Sequence, residues 1–199
     1  MYIVHSAGPY GITTEYEVDW ILENIGLDTT IFNGRFLDVG CGMHSRLVRY
    51  LRKMMINAEG IDPSLLANEP YLMRQVAASI PRPENYYDFA ASHIAHFKDG
   101  MDLNRLICYR LVGSEFAEVY AEKKPPMIDT IRDVSRVIKL GSRFVIWPEP
   151  RYLLQEARDE ITGMGIDIST EPTNSQFSKI IFKGSIEDEY LYRAVLTKL

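Results

Sequence analysis

At 199 residues, with 46% hydrophobic and 25% charged residues, the chain has the length of one domain and is too apolar to be disordered. Its net charge of −5 supplies no global positive field for a phosphate backbone, so nucleic acid is not expected as a partner. No stretch approaches the roughly 18 apolar residues needed to span a bilayer, so no membrane contact is expected either.

Met1 to Gly11 lacks a basic region followed by a long apolar run, so no secretory signal is expected, and a cytoplasmic protein is the default. Cys41 and Cys108 stand far apart without metal-like spacing. They read as free thiols in a reducing compartment, with a disulfide as the second choice and no metal site expected.

Thr14-Glu15-Tyr16-Glu17 has the form of a capping box, opening a helix whose apolar positions are Tyr16, Trp20, Ile21 and Ile25. After the Asn33-Gly34 turn, Phe36 to Val39 reads as a short buried strand. Ser45 to Met55 is expected to be helical, with Leu47, Val48, Leu51 and Met54 or Met55 inward. Arg46, Arg49 and Lys53 fall on its other face, more simply a solvated stripe than an anion contact. Ala58 to Ile61 is a second strand ending at Asp62. Arg74 to Ala78 reads as a short third strand or the end of a helix, and Tyr87 to Ser92 as a better strand. Ile128 to Lys139 is expected to be a helix broken by Gly141, followed by the strand Arg143 to Trp147. Tyr152 to Gly163 should be another helix. Ile166–Ile168 and Phe177–Phe182 look like a closing strand pair, and Ser185 can cap a last helix running to the C-terminus.

This alternation points to an α/β fold around a mainly parallel sheet, in a single domain over 1–199. One segment, 93–126, departs from it with two helices of its own. It would leave the sheet at the carboxyl edge, where open α/β sheets bind ligands, and reads as an active-site lid. An oligomer contact or plain packing is the equal alternative, so a homo-oligomer stays open.

A strand ending in Asp38 that runs into Gly40 and Gly42 before a helix forms a nucleotide-type corner. Glycine permits the sharp turn and lets a ligand approach the peptide groups. Asp62 follows Gly40 by 22 residues, a spacing that brings its carboxylate to the adjacent strand tip, within reach of ribose hydroxyls.

Phe36-Leu37-Asp38-Val39-Gly40-Cys41-Gly42 resembles the first motif of the class I (Rossmann-like) SAM-dependent methyltransferases. Gly60-Ile61-Asp62-Pro63-Ser64 resembles their acid-bearing second motif, and the stretch from Asp133 to Ile146 their helix, turn and fifth strand. The resemblance implies a seven-stranded, mostly parallel sheet flanked by helices, with the last strand antiparallel; the helical insertion after the fourth strand lies outside it. It implies S-adenosyl-L-methionine (SAM) as cofactor, lying against Asp38, Gly40, Cys41, Gly42, Asp62, Pro63, Ala77 and Ser92. The family often has a third glycine where this chain has His44, whose side chain either crowds the methionine end or points away. The acid that usually ends the third strand has no counterpart in Val76-Ala77-Ala78.

Methyl transfer is a direct displacement that needs alignment, exclusion of water and, for a protonated nucleophile, a base. His93 is the candidate catalytic base, against the commoner structural role of a loop histidine. Tyr10, His96 and Glu149 are candidate substrate contacts, with packing or exposure as their plainer readings. There is no Asp/Asn-Pro-Pro-Tyr/Phe/Trp sequence after the fourth strand and no Pro-Cys pair, so DNA-base methylation is not expected. The expected activity is transfer to an oxygen or nitrogen of a small-molecule substrate. A catalytically inactive methyltransferase-like scaffold is the first alternative. An NAD(P)-dependent oxidoreductase comes last, because its fingerprint's third glycine is replaced by Ser45.

Overall fold

The computed structural model describes residues 18–42, 44–63, 65–66, 69–93, 126–147, 149–173 and 192–199. The capping box at Thr14, Tyr10, His96, most of the insertion and Phe177–Phe182 lie outside them. The described elements are α1 (Val18–Ile25), β1 (Arg35–Val39), α2 (Arg46–Lys53), β2 (Asn57–Ile61), β3 (Leu72–Met73) and β4 (Tyr87–His93). They continue with α3 (Met127–Val137), β5 (Ile138–Trp147), α4 (Arg151–Glu156), α5 (Arg158–Gly163), β6 (Ile166–Pro172) and β7 (Tyr192–Lys198).

The strands form one seven-stranded sheet in the order β3-β2-β1-β4-β5-β7-β6. Pairings from β3 through β5 are parallel, while β7 runs antiparallel to both its neighbours. Both faces are covered, so the central strands are apolar at successive residues instead of alternating. Leu37, Ala90 and Phe144 point to the side packed by α3, α4 and α5. Phe36, Phe89 and Val145 point to the side packed by α1 and α2. On that second side the Phe36 and Phe89 rings stack at 5.8 Å.

The close approach of α2 to the sheet depends on one missing side chain. A Cβ at Gly60 would lie 2.7 Å from Cys41 Sγ and 3.0 Å from Val48 Cγ2. Gly60→Ala is therefore expected to cost about 1–3 kcal/mol, the range for overpacking a tight core, measured by urea unfolding. Adding Cys41→Ala should recover part of the loss, since it removes the nearer atom.

Several expected boundaries move. Helix α2 stops at Lys53, and Met54 and Met55 both face solvent, Met55 with a left-handed φ of 66°. Ile56 takes the inward place expected of a methionine. The third strand is Leu72–Met73, not Arg74–Ala78. The loop after it is held by side chains of α3: Arg136 donates to Ile80 O and Arg82 O, each at 2.8 Å, and Asp133 accepts from the Ile80 N–H. That clip satisfies backbone groups which a strand would have paired with the sheet.

Helix α3 ends at Val137, before Gly141, because Ile138 already pairs with Tyr87. Between that pair and Phe89↔Arg143 the register shifts, and Gly141 makes the excursion at φ 74°. The helix expected over 152–163 is divided at Ala157 into α4 and α5. The largest correction is at the C-terminus. Tyr192–Lys198 is a strand, in place of the helix expected to run to the C-terminus, and it pairs with β6 along the whole of β6. Inserted between β5 and β6, it buries Ala194, Val195 and Leu196 on both faces. An apolar run buried on both faces has the same sequence pattern as a buried helix.

Candidate functional site

The strand order reverses between β1 and β4, whose next strands lie on opposite sides. Ligands bind at the carboxyl ends of such a switch point. At the tip of β1 the chain turns through Gly40 (φ 79°) and Gly42 (φ 69°), both left-handed, where a side chain would add strain. The Gly40 N–H donates to Ile61 O at 2.8 Å, folding the turn over the tip of β2. The Gly42 N–H donates to Asp62 Oδ2 at 3.0 Å. Ser45, also left-handed at φ 46°, is buried and accepts from Arg49 Nε at 3.3 Å.

A cleft opens beside this turn. Its floor is Asp38, Gly40 and Cys41 with Ala91, Ser92 and His93 from β4; Trp147 comes from the tip of β5. Ile21 and Ile25 of α1 form one wall, and Arg46 and Leu47 at the start of α2 another. Ser92 Oγ donates to Val39 O at 2.8 Å, tying the two strand tips together. His93 pairs across the sheet with Trp147, their rings edge to face at 5.4 Å.

The charges in the cleft are unevenly matched. Asp38 is half-buried on β1, and desolvation first, then the carboxylate of Asp62, push its pKa up from 3.8 to about 7. Burial, followed by the two aspartates, holds the Cys41 thiol well above its ordinary range. Its sulfur packs toward Gly60, so it is no nucleophile at neutral pH. Arg46 is exposed where it lines the cleft.

Of the residues singled out in sequence, Asp38, Gly40, Cys41, Ser92 and His93 meet in this cleft. Gly42 and Asp62 are bonded to each other beside it, and half-buried Pro63 follows them. Ala77 is fully buried in the core on the α3 face. Glu149 is buried and accepts from Arg151 Nη2 at 3.0 Å and from the Thr170 hydroxyl, away from the cleft lining. His44 is exposed and is not among the residues that line the cleft.

Sequence reasoning missed Trp147, Arg46 and the α1 wall. The i, i+4 spacing of Ile21 and Ile25 marks one buried stripe but not what it faces. Trp147 carried a usable signal, as the last residue of the strand beside β4. Among the described residues, no group of three or more His, Cys, Asp or Glu is placed to hold a metal, and no helix is long and apolar enough to cross a membrane.

The fold is that of the class I, Rossmann-like SAM-dependent methyltransferases. A SAM-dependent methyltransferase from Mesorhizobium loti is similar with a TM-score of 0.55 and 14% identity, over 92% of this chain and 98% of that one. The phosphoethanolamine N-methyltransferase 2 of Haemonchus contortus, solved with phosphomonomethylethanolamine and S-adenosylhomocysteine, is similar at 0.52 and 14% identity, over 91% of this chain and 52% of its own. The [4+2]-cyclase SpnF shares the fold at 0.50 and 18% identity, over 91% of this chain and 80% of that one. No protein-family model and no curated protein matches the sequence.

Proposed function

We propose that the cleft binds SAM and that the protein transfers its methyl group to an oxygen or nitrogen of a small molecule. The observation that carries this reading is the cleft at the switch point, where Asp38, Gly40, Ser92 and His93 converge beside two left-handed glycines. These residues fit the cofactor's chemistry. Asp38 is a desolvated carboxylate that gains by meeting a cation, such as the ammonium of an amino acid. Arg46 faces the cleft as a counterpart for a carboxylate, and Asp62 at the next strand tip is the acceptor for ribose hydroxyls. Bound there, SAM supplies an electrophilic methyl.

The chain's own part is to orient and to exclude water. The apolar walls from Ile21, Ile25, Leu47 and Trp147 keep the reacting atoms dry. His93, at the end of β4, is the group to take a proton from a hydroxyl or amine nucleophile. In this reading the segment 93–126 acts as a lid, with a homo-oligomer contact as its alternative role.

A second reading, a non-catalytic binding subunit, draws on Asp62 and Ala77. The acid is already engaged by Gly42, and the expected adenine wall lies in the core. A member of the same fold that is a cyclase also separates fold from methyl transfer. Calorimetric titration with SAM, S-adenosylhomocysteine and NAD decides between them. Micromolar SAM binding is expected. Binding of NAD without SAM would sink the proposal, and no ligand at all would leave the subunit reading.

A further inference from the structure

The α1 wall of the cleft is docked by a residue far from it in sequence. Arg193 of β7 reaches beneath the end of α1, where its Nη1 donates to Glu23 O and Asn24 O, each at 3.2 Å. Its Nε and Nη2 donate to Glu171 Oε2 on β6 at 3.0 and 2.7 Å. The other oxygen of Glu171 accepts from Arg143 of β5. Only 15% of the Arg193 side chain is exposed.

The turn after the helix is shaped to this guanidinium. Gly26 has a φ of 67°, and a Cβ there would lie 2.4 Å from Arg193 Nη1. A helix ends with carbonyls that lack intrahelical partners, and a cation there is favoured by the helix dipole as well as by the hydrogen bonds. Glu171 and Arg143 hold that cation at a fixed height on the sheet. The same short helix carries Ile21 and Ile25 on the cleft, and it lies against β5, the strand of Trp147.

We propose that Arg193 is a positioning residue for the cleft: by clamping the end of α1 to β6 and β7, it sets the wall that closes over the ligand and over Trp147. The identity of that ligand rests on the SAM reading; the clamp itself does not. A helix this short is not stable alone, so its place is set by what it is tied to. Arg193 supplies the charge-assisted part of that tie.

The test uses the full chain with Trp20→Phe, which leaves Trp147 as the one tryptophan of the two in the sequence. Arg193→Ala and Arg193→Lys are compared with this parent at a temperature where circular dichroism shows each fully folded. Trp147 is 2% exposed, so acrylamide should quench the parent weakly. Arg193→Ala is expected to raise the quenching constant severalfold and to weaken S-adenosylhomocysteine binding about tenfold, the size of one charge-assisted hydrogen bond. Lysine, which keeps the ion pair with Glu171 but loses the fork, should restore part of both.

A lower melting temperature with unchanged quenching and unchanged affinity would make Arg193 merely structural and overturn the inference. Should Arg193→Ala fail to fold, Glu171→Gln is judged by the same two readouts. A parent that binds no S-adenosylhomocysteine would remove the SAM reading, and the quenching comparison would still decide the clamp.

Discussion

Replacing Asp38 with asparagine is expected to stabilise the ligand-free protein at pH 8, on the order of a few kcal/mol, and to weaken SAM binding. The carboxyl has an ordinary pKa of 3.8 and is pushed to about 7 in the fold. Between those values the folded chain keeps a proton that the unfolded chain has released. Stability from this group is therefore full below pH 3.8, falls as pH rises toward 7, and stops changing above it. Asparagine has no proton to lose, so the difference between variant and parent should grow across that window. Asp88, whose desolvation is outweighed by Lys139 and the Arg35 N–H together so that its pKa is lowered, slopes the other way but cancels in the comparison.

Binding should show the opposite preference. A cationic ligand meets the ionised form of Asp38, so SAM affinity of the parent should rise between pH 6 and pH 8, while that of the variant stays low and flat. Urea unfolding and calorimetry across pH 5–9 measure both. A parent and variant with parallel stability curves would show that Asp38 titrates normally.

Asp62→Ala is expected to weaken SAM binding by more than about tenfold, because it removes a charged acceptor for the ribose. It also frees the Gly42 N–H, which Asp62 Oδ2 holds at 3.0 Å, so the glycine turn loses its tie to β2. Asp62→Asn separates the two effects. An amide oxygen can still accept from Gly42, but the charge that raises the pKa of Asp38 is gone. The asparagine variant should therefore keep the turn, lower the pKa of Asp38 toward the ordinary carboxylate range, and bind SAM at an intermediate affinity. Carboxyl titration followed by NMR reads the first change and calorimetry the second. Unchanged affinity in the alanine variant would remove Asp62 from the site.

These two aspartates are also where the sequence was most readable. Asp38 lies near the end of β1 and Asp62 directly follows β2, both beside the glycine turn. β1, β2 and β4 follow from the strand pattern with the glycine turn, while the seven-stranded arrangement is what the methyltransferase resemblance implies. The acid and glycine positions are local in sequence, so Asp38, Gly40, Ser92 and His93 could be placed at strand tips without knowing how the strands are ordered.

What lies beyond single strands was decided by the tertiary structure. The run Ala194-Val195-Leu196 is equally apolar as helix or strand, and only the vacant rows of hydrogen-bonding groups on β5 and β6 make it a strand. Ala77 reads as a wall of a pocket, yet Asp133 and Arg136 of α3 draw its loop into the core. Arg46 and Arg49 sit on one exposed face of α2, but Arg49 pairs with Glu69 while Arg46 opens onto the cleft. The period of a sequence determines which face of an element is apolar. It does not determine which distant side chain satisfies the element's ends, and for α1 that was Arg193, nearly the whole length of the chain away.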